Sequence, residues 1–150
     1  MSALDEFRET DRSVTAVIAA VTIHLALTAG HALAHVSLPV EIVGWQAAYA
    51  GVVLVAAPLV GVGLLARGRY RLAAWLVLGA GLAALGFEGV LHFVVAGPDN
   101  VASVTHGTEL FRSTALATTA GDALLVVTGV ALVRRHRQGS SATPATVSRT

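Results

Sequence analysis

The chain has 150 residues, 55% of them apolar and only 13% charged, with a mean hydropathy of +0.71 and a net charge of +1. A soluble domain carries about 25% charged residues, so this composition excludes an ordinary water-facing globule and points to one membrane domain. The absence of cysteine excludes disulfides, thiolate metal sites and thiol redox chemistry.

Residues 1–12, MSALDEFRETDR, form a net acidic N-terminal segment. The first apolar run follows at 13–36. Its Ala32-Leu33-Ala34 imitates a signal-peptide cleavage site, but the acidic flank and the length of the run favour a retained span. Further runs near 42–66, 71–96 and 111–133 each reach the roughly 20 residues that a membrane-crossing helix needs. No segment alternates with the period of two that a β-barrel requires. The expected fold is therefore an all-α bundle of four transmembrane helices, placed at 13–136, in a multi-pass protein of the cell membrane.

The connections are short except for one. SLPVE (37–41) and ARGRYR (66–71) are tight, whereas GPDNVASVTHGTE (97–109) is long enough to carry function. Pro98-Asp99-Asn100 is a turn signal, and Thr105 or Thr108 is suited to cap the fourth helix. Pro58 is expected to kink the second helix, which membrane bundles tolerate. The small residues of GAGLAALG (79–86) fit close helix packing better than room for a cofactor. Trp45 and Tyr49 at one end, with Tyr70 and Trp75 at the other, fit an aromatic belt. Residues 137–150, rich in Ser, Thr and Ala, read as a disordered tail.

Every basic residue is arginine. Arg8, Arg12, Arg67, Arg69, Arg71, Arg134, Arg135 and Arg137 fall on one side of the four spans and only Arg112 on the other, so both termini are expected in the cytoplasm. These arginines flank spans and lack interleaved aromatics, which argues against a nucleic-acid partner.

The polar residues inside the spans carry the functional signal. At about 100° per residue, His24, His31 and His35 fall within roughly 40° of one another, with Thr28 on the same stripe. On the third span Glu88 and His92 are helical neighbours. From the 1.5 Å rise, His31 and His92 share a level about 6 Å below the outer boundary, and Glu88 lies about 12 Å below it. His106 and Glu109 stand on the long loop at the same end. The six residues His31, His35, Glu88, His92, His106 and Glu109 are thus expected to form a metal site. Imidazole nitrogens with anionic oxygens suit Cu, Fe, Zn or Mn. Di-metal four-helix proteins instead repeat Glu-x-x-His pairs, so one ion is the first expectation here and two the alternative.

Glu88-x3-His92, followed by His106 and Glu109, resembles the copper-ligand segment in the C subunit of membrane copper monooxygenases, where Asp replaces the glutamate. The likeness covers residues 88–109 and implies copper. A deeper pair, His24 and Asp122, is expected near mid-bilayer, as a proton pathway or an interhelical contact. On an unbroken fourth helix Asp122 and Glu109 lie about 140° apart, so both cannot face one spot.

The favoured function is a metal centre for redox or oxygen chemistry on a lipid-soluble substrate. One alternative is a b-type haem electron-transfer protein with His31 and His92 as axial ligands and Gly30, Gly86 and Gly89 giving clearance. Others are a metal-free accessory subunit of a larger membrane complex, a homo-oligomer, or an ion-coupled carrier. The last would ordinarily show paired broken helices.

Overall fold

The computed structural model describes residues 3–38 and 40–141, and every regular element among them is helical. The elements are α1 (Ala3–Ser37), α2 (Gly44–Tyr49), a π-helical stretch (Ala50–Ala56), α3 (Ala57–Ala66), α4 (Tyr70–Phe93) and α5 (Thr108–Ser141). Four helical segments are long and apolar enough to cross a bilayer: Arg12–Ser37, Gly44–Ala66, Tyr70–Phe93 and Thr108–Arg135. The first helix starts well before the expected span, and the last runs to Ser141 into the segment read as a tail; residues 142–150 lie outside the described residues.

Neighbouring helices make a ring. α1 lies against α5, α5 against α4, α4 against the second span, and the second span against α1. α1 and α4 therefore face each other across the diagonal, and side chains from both fill the middle. The two ends differ in what they bury. Towards the arginine-rich end the core is apolar, with Val17, Val21, Leu65, Val77, Leu125 and Leu132 packed together. Towards the other end the buried side chains are His31, His35, Glu88, His92 and Asp99, with His24 and Asp122 between the two halves. Outward-facing Ile18, Leu33, Val52, Leu59, Leu82 and Val127 present an apolar surface, as expected of helices in lipid.

Close approach of α4 and α5 depends on glycine. A Cβ on Gly129 would stand 2.7 Å from Leu78 Cα and 2.8 Å from Leu78 N, and one on Gly81 would stand 2.9 Å from Val126 N. Backbone cannot yield as a flexible side chain can. Gly129→Ala is therefore expected to lower stability by about 1–3 kcal/mol, the usual cost of overpacking. Thermal melting in detergent should show it, while Gly79→Ala, which meets nothing within 4 Å, should melt as the parent does.

Pro58 also changes the hydrogen bonding of its helix. It lacks the N–H that the Leu54 carbonyl would accept in an α-helix. The turn before it widens into the π-helical stretch, and the freed Leu54 carbonyl takes a hydrogen bond from His24 Nε2 at 2.7 Å. A proline thereby supplies a polar anchor for a histidine on the neighbouring helix.

The long loop folds back over the end of α4, which stops at Phe93 rather than near 96. Val101 N–H donates to His92 O at 3.0 Å, using a carbonyl that a longer helix would have used. Asn100 closes the turn, donating from Nδ2 to Val95 O at 3.0 Å and accepting from Ala102 N–H at 2.9 Å. At the start of α5, Gly107 takes the capping position expected of a threonine. Its φ is +65°, a conformation other residues rarely adopt, and its carbonyl accepts the Phe111 N–H at 3.0 Å.

Candidate metal centre

Three elements bring four donors to one point. α1 contributes His31 and His35, one helical turn apart; α4 contributes His92 from its last turn; the folded-back loop contributes Asp99. All four residues are buried, and one ligand atom from each lies within 4.8 Å of every other. Their contacts close a four-sided ring. His31 Nε2 is 2.9 Å from His92 Nε2 and 3.2 Å from His35 Nε2, while Asp99 Oδ1 is 3.1 Å from His35 Nε2 and 3.2 Å from His92 Nε2.

The far side of each imidazole decides what those nitrogens present. His92 Nδ1 faces the Glu88 backbone carbonyl at 2.9 Å, and His35 Nδ1 faces the Val40 carbonyl at 3.4 Å. Carbonyls only accept, so both Nδ1 atoms carry the proton. His31 Nδ1 meets Thr114 Oγ1 at 3.0 Å. The Thr114 hydroxyl already donates to the Leu110 and Phe111 carbonyls, at 2.9 and 3.0 Å, and so accepts from His31. In the neutral rings every Nε2 is then a bare lone pair, aimed at two other lone pairs and a carboxylate oxygen. Such an arrangement is repulsive without a shared positive charge, and one cation at the centre of the ring satisfies all four donors together. Bonds of about 2.0–2.1 Å to a tetrahedral ion imply donors roughly 3.3–3.4 Å apart, a few tenths beyond the separations seen. This His/Asp group can hold a metal ion.

Electrostatics favour an ionised Asp99. Burial opposes its charge, but when His35 or His92 takes up a proton at Nε2 in place of an ion, its hydrogen bond and positive field outweigh burial and hold the Asp99 carboxyl well below the usual carboxylate range. Asp99 Oδ1 has no other hydrogen-bond partner among the described residues. Phe111, fully buried, sets its ring 5.1 Å from that of His31, 5.0 Å from His35 and 5.8 Å from His92, which keeps water from that side.

Glu88 is not one of the four grouped donors. Its Oε2 lies 3.3 Å from His92 Nδ1, behind the ring; the Nδ1 proton goes to the Glu88 backbone carbonyl, and the side-chain carboxyl beside it would make the imidazole a better base when ionised. Glu88→Gln is expected to weaken metal affinity by about 10–100-fold with the same stoichiometry. Competition with a chromophoric chelator measures this, and unchanged affinity would remove Glu88 from the site.

His106 and Glu109, expected as ligands, stand apart from the group. Both are exposed, and His106 Nδ1 pairs with its neighbour Thr105 Oγ1 at 3.1 Å. Glu109 is in the first turn of α5 and faces out, while Asp122 faces in. Asp99 takes the place that the sequence had offered to the later loop residues; its only signal there was the turn around it. The likeness to the copper-ligand segment loses its distal members accordingly. A haem between His31 and His92 does not fit. Axial nitrogens on one iron would stand about 4 Å apart on bonds of ~2 Å, with a macrocycle between them where His35 and Asp99 stand.

His24 and Asp122 meet below the group. His24 Nδ1 is 3.0 Å from Asp122 Oδ1, and neither side chain is exposed. Because His24 Nε2 must donate to Leu54 O, a single proton lies between Nδ1 and the carboxyl. The pair is electrically neutral whichever atom holds it. Between this pair and the metal group, Thr28 Oγ1 and Thr118 Oγ1 approach to 3.5 Å.

Compared with known proteins, the chain finds no match: no family model, no curated protein and no solved structure aligns with it. The reading of the site rests on its own geometry.

Proposed function

We propose that this chain is a multi-pass protein of the cell membrane that binds one divalent transition-metal ion, with Zn, Fe, Cu and Mn as candidates. His31, His35 and His92 would bind through Nε2 and Asp99 through Oδ1. The observation that carries this reading is the ring of three imidazole lone pairs and one carboxylate oxygen with sides of 2.9–3.2 Å. Charge balance supports it. Ionised Asp99 offsets one charge of a divalent ion, and Glu88 behind His92 would offset the second by releasing its proton when the ion binds. The arginines at the opposite end of the bundle support an orientation with the site near the outer face.

Redox or oxygen chemistry on a lipid-soluble substrate needs an open coordination position. Four protein donors favour a held ion. On a tetrahedral ion, catalysis would require Asp99, the one donor carried on a loop, to leave; a six-coordinate Fe or Mn would keep two positions open.

The test is elemental analysis of gently purified protein in detergent. The wild type should carry about one equivalent of metal, His31→Ala and His92→Ala none, and the exposed-residue variant His106→Ala the full amount. Absence of metal from the wild type, even after reconstitution with each candidate ion, would overturn the reading. So would metal that survives His31→Ala.

A further inference from the structure

The arginine-rich end holds a feature that the metal site does not use. Between α1 and α5 lies a cleft of about 220 Å³, lined by Arg12, Ser13, Ala16, Val17, Thr128, Ala131, Leu132 and Arg135. Higher up the two helices touch closely, since a Cβ on Gly121 would meet His24 Cα at 3.3 Å. Lower down, the small side chains of Ala16 and Ala131 leave the gap.

Its walls divide by polarity along the helix axis. The mouth has two guanidinium groups, Arg12 and Arg135, and Arg135 Nη1 donates to the Ser13 hydroxyl, which ties α5 to α1. The deeper wall is Ala16, Val17, Ala131 and Leu132. Thr128 adds no polar demand there, because its hydroxyl donates to Leu124 O at 2.7 Å. A ligand for this cleft carries negative charge at the interface and hydrocarbon below it.

We propose that the cleft binds one anionic phospholipid, with its phosphate between Arg12 and Arg135 and an acyl chain along Ala16, Val17, Ala131 and Leu132. Two observations choose this occupant over free phosphate. The charges stand where a helix leaves the membrane, which is where lipid phosphates lie, and the apolar wall would stay uncovered beneath an inorganic ion. Basic pockets between helices at a membrane face recognise acidic headgroups for this reason. Arg67, Arg69 and Arg71 in the connecting loop with Arg134 and Arg137 on α5 outnumber Asp5, Glu6, Glu9 and Asp11 of the N-terminal segment, so the sequence charge at that end stays positive.

The experiment uses the full chain in detergent, loaded with equal amounts of phosphatidylglycerol and phosphatidylcholine and read by native mass spectrometry. Wild type is expected to keep one phosphatidylglycerol in preference to phosphatidylcholine. Arg12→Gln/Arg135→Gln should lose that preference by roughly tenfold or more, as expected for removing two charges near acidic headgroups, while Arg69→Gln keeps it. Ala131→Leu, which fills the cleft and leaves both charges, should also lose it. Equal retention of the two lipids would overturn the proposal. So would loss in Arg69→Gln equal to that in the double variant, or displacement of the lipid by millimolar inorganic phosphate, which would make the site one for the free ion. Unchanged metal content in these variants separates this result from the fate of the metal site.

Discussion

Asp122→Ala is expected to lower stability by about 1–3 kcal/mol, the cost of leaving a buried polar group without its partner. His24 would keep its bond to the Leu54 carbonyl and lose the carboxyl that faces Nδ1 among the described residues, in a fully buried place. The net contribution of the intact pair is smaller, since interhelical polar contacts in membranes average about 0.6 kcal/mol and reach ~1.7. That asymmetry makes a second expectation. His24→Phe/Asp122→Leu, which removes both partners, should recover most of the loss in thermal melting. If Asp122→Ala melted like the wild type, the pair would have no structural role. If the double variant were as unstable as the single, the effect would be one of packing rather than of an orphaned imidazole.

Removing the metal is expected to have a larger effect. An ion that binds the folded state alone stabilises it by about 4.1 kcal/mol at a free concentration 1,000 times its dissociation constant. For a chain of this size that corresponds to roughly 8–16 °C in melting temperature, at ~2–4 °C per kcal/mol. Chelator treatment should therefore lower the melting temperature of wild type by that amount and leave His31→Ala, already metal-free, where it was. Restoring the ion should bring the wild type back. A melting curve indifferent to chelator in metal-loaded wild type would show that the ion does not join the helices.

The four helices were legible because lipid imposes length and apolarity, and both are printed in the residue order. Helix periodicity placed the α1 histidines on one stripe. The uniform rise per residue set His31 level with His92, and the two nitrogens meet at 2.9 Å. Loops have no such period. Asp99, His106 and Glu109 all lie between α4 and the first turn of α5, and only the hydrogen bonds of Asn100 and Val101 select which acid folds inward. The π-helical stretch was hidden for a related reason. Pro58 announces a missing donor, but whether the helix bends or widens depends on a neighbour able to use the freed carbonyl, and that neighbour is His24, thirty residues earlier in the chain.

The diagonal placement of the donors bears on how such a protein is made. His31 and His35 belong to the first pair of spans, whereas His92 and Asp99 belong to the second. A half-inserted chain offers only two imidazoles one turn apart, a weak clamp that releases whatever it catches. The complete donor set exists only once the third span is in place beside the first and the loop after α4 has folded back. If the group binds the ion proposed for it, loading would be a late event in biogenesis, and a bound ion would mark a molecule whose third span and following loop are in place.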